Sequence, residues 1–251
     1  MPQRYFLHCS FDGTSFHGWQ IQPNASSVQE TLNIALSTLL REEVYTVGAG
    51  RTDTGVHASH MVAHFELEKP MEDPAHWVYK LNKFLPESIA VQKIFPVGPD
   101  DHARFSAVKR GYVYRMARTK NPFEVNRAWQ YSGPLDIESM NKAAALLLQV
   151  EDFASFAKAG HQSATTLCDV TRAEWIANGD LWEFHIEADR FLRNMVRAVV
   201  GTLVEVGQGK VSLSDMEEII RSGKRSQAGT SAPACGLYLN KIEYPELDRK
   251  K

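Results

Sequence analysis

Apolar positions along this chain change period several times, and the changes mark out its elements. Arg4 to Phe11 alternates in the two-residue sense of a half-buried strand. A turn-rich stretch, Asp12-Gly13-Thr14-Ser15, separates it from Phe16 to Gln22. Two overlapping capping boxes come next, Ser26 with Gln29 and Ser27 with Glu30. Behind them Val28, Leu32, Ala35, Leu36, Leu39 and Leu40 fall on one stripe, which predicts a helix. Tyr45 to Ala49 reads as a strand ending in the loop Gly50-Arg51-Thr52-Asp53-Thr54-Gly55. Residues 60–67 alternate again, with Met61, Ala63, Phe65 and Leu67 on one side, and Trp77 to Phe84 reads as a helix. Beyond that helix the chain is punctuated by Pro86, Pro96 and Pro99. They place a boundary at 97–103, between one lobe of residues 1–100 and another of residues 101–251.

The second half repeats that order loosely. A strand from Gly111 to Arg118 leads to a helix from Ile137 to Gln149. Strands at Asp169–Ala177 and Leu181–Ala188 flank the turn Asn178-Gly179-Asp180. Phe191 to Val206 predicts a helix, with Leu192, Met195, Val196, Val199 and Leu203 on one face and Gly207 as its stop. Ser214 with Glu217 opens a short helix that ends near Gly223, and Gly236 to Glu243 is a last strand before a charged tail. Helices mixed with hairpin-linked strands indicate the α+β class with antiparallel sheets, and the repeated order suggests an old duplication.

Composition narrows the reading. Of 251 residues 43% are hydrophobic and 23% charged, which fits a folded globular chain rather than a disordered one. No apolar run reaches the roughly 18 residues of a membrane span, and the N-terminal residues lack the pattern of a signal peptide. Cys9, Cys168 and Cys235 lie far apart without metal spacing, as suits a reducing compartment. The expected location is the cytoplasm. Formal net charge is −2, yet seven basic residues between Arg104 and Arg127 face one acid, Glu124. That strip contains Arg110 and interleaves Tyr112 and Tyr114, so it can neutralise phosphates while offering flat faces to bases. A solvated, edge-protecting strand is the plainer alternative.

Three groups of residues could carry chemistry. In the 50–55 loop, Arg51, Thr52 and Thr54 bracket Asp53, and a carboxylate among donors stays ionised and directed. Asp in a glycine-bounded loop is equally at home as a turn or helix cap. Arg190, Arg193 and Arg197 share a helical face if the 191–206 helix extends that far. They would form a rail for phosphates, hold a carboxylate, or simply be an exposed basic face. His57, His60 and His64 suggest a metal, but on a strand His60 and His64 stand two pleats apart, too distant for easy chelation. Phosphate-binding glycine loops and familiar hydrolase motifs are missing from the sequence.

From Gly50 through Ala58 the sequence resembles the tRNA pseudouridine synthase A family, and the resemblance continues in order along the chain. Phe11-Asp12-Gly13 with Phe16-His17-Gly18-Trp19-Gln20 is similar to the family's opening motif. Leu81-Asn82 with Leu85-Pro86 comes next, then His102-Ala103-Arg104-Phe105-Ser106-Ala107 leading into Tyr112-Val113-Tyr114-Arg115. Asp152-Phe153 with Ser155-Phe156, then Phe191 through Arg197 with Gly201, and Ala232-Pro233-Ala234 with Gly236-Leu237-Tyr238-Leu239 complete the set. Ser231 and Asp189-Arg190 depart from the family's usual residues without touching the proposed chemistry.

The resemblance implies the pseudouridine synthase fold: two lobes, a largely antiparallel mixed sheet flanked by helices, and a central basic cleft. It implies isomerisation of uridine to pseudouridine around positions 38 to 40 of the tRNA anticodon arm, by a homodimer and without cofactor or metal. Asp53 would be the catalytic aspartate, Tyr112 the tyrosine that stacks on the target base and helps remove its C5 proton, and Arg197 the aspartate's partner. Arg51 would hold or replace the flipped nucleotide, and Leu237 would lie near the base. Arg110 of the basic strip and Arg193 of the 191–197 motif join them as substrate-binding residues.

Overall fold

The computed structural model describes residues 2–158 and 164–245. These form nine strands and five α-helices, with nearly all strand pairs antiparallel, and divide into two compact units. The first unit holds residues up to Val108 together with the chain from Leu239 on; the second runs from Lys109 to Tyr238. The charged tail expected after the last strand lies, from residue 246 on, outside the described residues.

In the first unit the chain runs through β1 (Gln3–Phe11), α1 (Val28–Leu40), β2 (Val47–Gly48), β3 (His57–Leu67), α2 (Pro74–Phe84) and β4 (Ile89–Pro96). β1 is central, antiparallel to β3 on one side and to β4 on the other, and β2 adds to β3. Of the two possible caps for α1 it is Ser27 that serves, accepting from the Glu30 N–H, and the helix stops where Arg41 turns left-handed at φ 60°. The stripe behind the cap is buried at Val28, Leu32, Ala35 and Leu36. Burying a side chain of that size contributes about 1.5–3 kcal/mol. α2 starts at Asp73, which caps the His76 N–H ahead of Pro74 in the first turn. β4 is an addition to the expected elements, and the expected Tyr45–Ala49 strand shrinks to two paired residues.

The second unit contains β5 (Lys109–Ala117), β6 (Trp129–Gln130), α3 (Ile137–Leu146), β7 (Val170–Asn178), β8 (Leu181–Ala188), α4 (Met195–Gly207) and α5 (Leu213–Ser222). β8 is flanked antiparallel by β5 and β7, and the short β6 joins β5 in parallel. α4 is apolar nearly all round and buried on every side, which makes it the core helix of this unit. It begins later than the sequence pattern implies. Asn194 stands in the left-handed region at φ 65°, so Phe191–Asn194 is a turn leading into the helix. α5 is capped by Ser212 with Asp215 rather than by Ser214 with Glu217, and ends on left-handed Gly223. The last strand, β9 (Leu237–Glu243), carries the chain back into the first unit, where the Val108 N–H meets the Glu243 carbonyl at 3.0 Å and the Tyr244 hydroxyl donates to Ala103.

Candidate active site

The loop bearing Asp53 leaves β2 and enters β3. Its turn closes where the Val56 N–H donates to the Asp53 carbonyl at 3.1 Å, with Gly55 at φ +76°. Gly50, by contrast, has open space around it and an ordinary φ, so only Gly55 uses a glycine's conformational freedom here.

What holds the loop is the segment from Phe11 to Trp19. Gly18 is left-handed at φ +89°, and a Cβ on it would lie 2.2 Å from the Thr52 carbonyl oxygen. A Cβ on Gly13 would lie 2.0 Å from the Val56 carbonyl oxygen. Two backbone bonds seal the contact, Trp19 N–H to Thr52 at 3.4 Å and Gly55 N–H to Phe16 at 3.3 Å. Buried His57 completes the clamp: its Nδ1 accepts from the Gly13 N–H at 3.0 Å. Asp12 lies 3.3 Å from the same nitrogen and turns its oxygen to the Thr14 N–H instead. The backbone on both sides of Asp53 is therefore fixed, while its side chain is half-buried and that of Arg51 exposed. Beside them the Thr52 hydroxyl is buried without a hydrogen-bond partner.

In the second unit the candidates sit on regular elements. Arg110, Tyr112 and Tyr114 fall on one side of β5. Tyr114 is buried and donates its hydroxyl to the Pro233 carbonyl at 2.9 Å, and burial pushes its pKa far up. Tyr112 is the partly exposed one, its ring edge-on to Phe191 at 5.0 Å. Arg110 donates to the Asp189 carbonyl at 2.9 Å.

Arg197 lies in the first turn of α4 and is tied to the segment 229–236. Its Nε donates to the Ala232 carbonyl at 2.7 Å, and the Ala232 N–H returns a bond to the Arg197 carbonyl at 2.9 Å. The first bond orients the guanidinium and the second holds the segment to the helix backbone. The strap comes this close because residue 201 is glycine, whose Cβ would fall 1.8 Å from the Thr230 oxygen. Asn194 and Arg225 both donate to the Ser231 hydroxyl, and Thr202 takes the Gly229 N–H. Leu237 is buried at the start of β9.

One expectation is corrected, that of a shared arginine face. Arg190, Arg193 and Arg197 do not share a helical face, because the first two precede α4; Arg193 is exposed in the turn, and its carbonyl accepts from Lys158. The three histidines of β3 separate into different settings: His57 in the clamp, His60 edge-on to His8 at 4.9 Å, and His64 against Ala103. Among the described residues no three His, Cys, Asp or Glu side chains converge as metal ligands. Sequence reasoning named Gly13, Gly18 and Gly201 only as parts of motifs; two glycines in a turn-rich stretch just ahead of a helix were the available signal for close backbone approach.

The model of a family described as tRNA pseudouridine synthase matches residues 9–106 and 143–245 of this chain. The chain belongs to the tRNA pseudouridine synthase family. Proteins named tRNA pseudouridine synthase A resemble it over nearly their whole lengths. That of Bacteroides fragilis is 49% identical over 245 residues, covering 97% of each chain. That of Porphyromonas gingivalis is 49% identical over 247 residues, covering 96% of this chain and 97% of its own. A Thermoanaerobacter relative is 43% identical, covering 93% and 96%. Within this pseudouridine synthase the stretches that carry the resemblance fall on the pieces just described: 11–20 and 50–58 form the clamped loop, and 191–201 with 232–239 form the strap on Arg197.

Proposed function

We propose that this chain isomerises uridine to pseudouridine in the anticodon arm of tRNA, around positions 38 to 40, with Asp53 as the reacting carboxylate. One observation carries the reading. Asp53 is the half-buried acid of a loop whose backbone is clamped on both sides by glycine contacts, so the carboxylate is presented from a rigid mount. Catalysis rewards that arrangement, since a group held in reacting geometry needs no further ordering in the transition state.

The reaction breaks the bond between ribose C1′ and uracil N1, turns the base, joins C5 to C1′, and moves a proton from C5 to solvent while N1 gains one. It is an isomerisation, so electrons and atoms balance without an oxidant, water or metal. Asp53 opens it by attack at C1′ or C6, or by taking the C2′ proton. Arg197, fixed through Nε to Ala232, is the charge partner for that carboxylate in this reading. The target base must leave its stack, at a cost of a few kcal/mol. Stacking on Tyr112 returns about 1–3 kcal/mol of that cost, and its hydroxyl helps remove the C5 proton. Arg51 fills the place of the flipped nucleotide, Leu237 borders the base, and Arg110 and Arg193 bind phosphates. The wider reading is a two-lobed pseudouridine synthase fold with a basic cleft, acting as a homodimer in the cytoplasm. No helix among the described residues is long and apolar enough to cross a membrane.

Tritium release from a tRNA transcript containing 5-tritiated uridine tests the proposal. Release by the wild-type protein that survives EDTA and vanishes in Asp53→Asn is the expected result. Tight tRNA binding without release would leave a binding module, with Asp53 reduced to a turn residue.

A further inference from the structure

The 97–108 segment of the first unit is tied down along its length, yet it holds an aromatic ring out in solvent. Val97 N–H bonds to Arg4, Asp101 N–H to Gly98, and Ser106 N–H to His102, all near 3.0 Å. His102 Nδ1 accepts from the N–H groups of Arg104 and Phe105, and His64 Nδ1 accepts from Ala103 at 3.2 Å. The Tyr244 hydroxyl bonds to the Ala103 carbonyl at 2.6 Å. In the middle of this network Phe105 is 75% exposed. Its ring is the outer member of a column: Phe6 to His64 at 6.4 Å, His64 to His102 at 4.5 Å, His102 to Phe105 at 4.4 Å. Burial, helped by nearby Arg4, lowers the pKa of both imidazoles, that of His64 to about 4, so the column is uncharged at neutral pH. The Arg104 guanidinium stands 5.6 Å from the Phe105 ring centroid.

We propose that Phe105 is a stacking platform for an unpaired nucleobase of the tRNA, with Arg104 neutralising the adjoining phosphate. The inference rests on the tRNA reading above and adds a contact separate from the reacting uridine. A flat ring on a preordered loop offers stacking area at little entropic cost, and an arginine beside it suits a ligand that is aromatic and anionic at once. A protein partner would ask for a contiguous apolar patch with the ring as one part of it; the chain neighbours of Phe105 are Arg104 and Ser106.

The test compares Phe105→Ala, Phe105→Trp and Arg104→Gln with wild type, measuring tRNA Kd, KM and kcat by binding and tritium release, and mass by sedimentation. Phe105→Ala is expected to raise Kd and KM about tenfold with kcat within about twofold, and Phe105→Trp to restore both. Arg104→Gln is expected to flatten the salt dependence of Kd, which Phe105→Ala leaves alone. Unchanged Kd and KM in Phe105→Ala would overturn the proposal, and so would a change in mass at unchanged Kd, which would assign the ring to contact between copies. Failure of the isomerase reading looks different: wild type would bind tRNA and release no tritium, while the Kd comparison at Phe105 would still be readable.

Discussion

Asn82 in the first unit and Asn141 in the second do the same job on strands of unrelated sequence. Asn82, on α2, gives its amide N–H to the Val91 carbonyl and accepts the Val91 N–H, both at 2.7 Å. Asn141, on α3, does the same for Trp175, at 3.0 and 2.7 Å. Val91 lies on β4 and Trp175 on β7, the flanking strand of each unit, so each asparagine replaces the neighbouring strand that an edge residue lacks. The two units part company in how they hold their candidate functional groups. The first presents Asp53 from a loop pinned by glycines at zero clearance, whereas the second mounts Tyr112 on a strand and Arg197 on a helix. A loop has no hydrogen-bond ladder of its own, so its precision has to come from backbone contact with another segment. A strand or helix brings its own rigidity and needs only a strap.

Substitutions can break or sharpen that contrast. The largest effect is expected at the loop: Asp53→Asn should cut tritium release by about a thousandfold or more. Tyr112→Phe, on the strand, should slow release about a hundredfold while tRNA Kd holds; an unchanged rate would remove its hydroxyl from the mechanism. Gly18→Ala should cost about 3 kcal/mol in chemical unfolding and lower kcat with it, because a left-handed residue meets the Thr52 carbonyl. Gly223→Ala is the control, left-handed but clear of close neighbours, and should cost about 1 kcal/mol with kcat retained. Equal kcat losses in the two would mean the clamp has no special role.

The edge asparagines come next. Asn82→Leu and Asn141→Leu should each cost about 2 kcal/mol and raise aggregation on heating, since a buried strand residue loses both partners. A large effect in one unit alone would show that the shared geometry is not a shared function. The smallest effect concerns pH. The folded-state pKa of His64 is about 4, below its ordinary 6.5. Between those values the unfolded chain takes up a proton that the folded chain refuses, so stability falls as pH drops through the window. Urea midpoints measured from pH 7 to pH 4 should show that slope, and His64→Gln should flatten it.

Much of the fold was legible in the residues, and the failures have physical reasons. The apolar stripe behind Ser26 and Ser27 marks α1, with the structure choosing Ser27 as the cap, and the strand 181–188 has the bounds its alternation gives, set by the turn Asn178-Gly179-Asp180. β4 escaped because Pro86 and Pro96 bracket it and read as punctuation, although proline is tolerated at the end of an edge strand. α4 was begun early because Leu192 keeps the helical spacing while sitting in a turn; it is buried from there all the same. At the site, a glycine-bounded aspartate could be noticed but not told apart from a turn residue. The clamp that distinguishes it joins residues 13 and 18 to residues 52 and 56, and such pairing is invisible to any local pattern.

The route of the chain through β9 has a consequence for synthesis. The second unit is one continuous stretch, Lys109–Tyr238, so all of it precedes Leu239 in the order of synthesis. The first unit must wait for Leu239 onward, whose Glu243 and Tyr244 close on Val108 and Ala103. The part translated first is thus the part completed last. A chain that stops before residue 239 would carry the Asp53 loop in a unit still lacking the segment that closes on Val108 and Ala103.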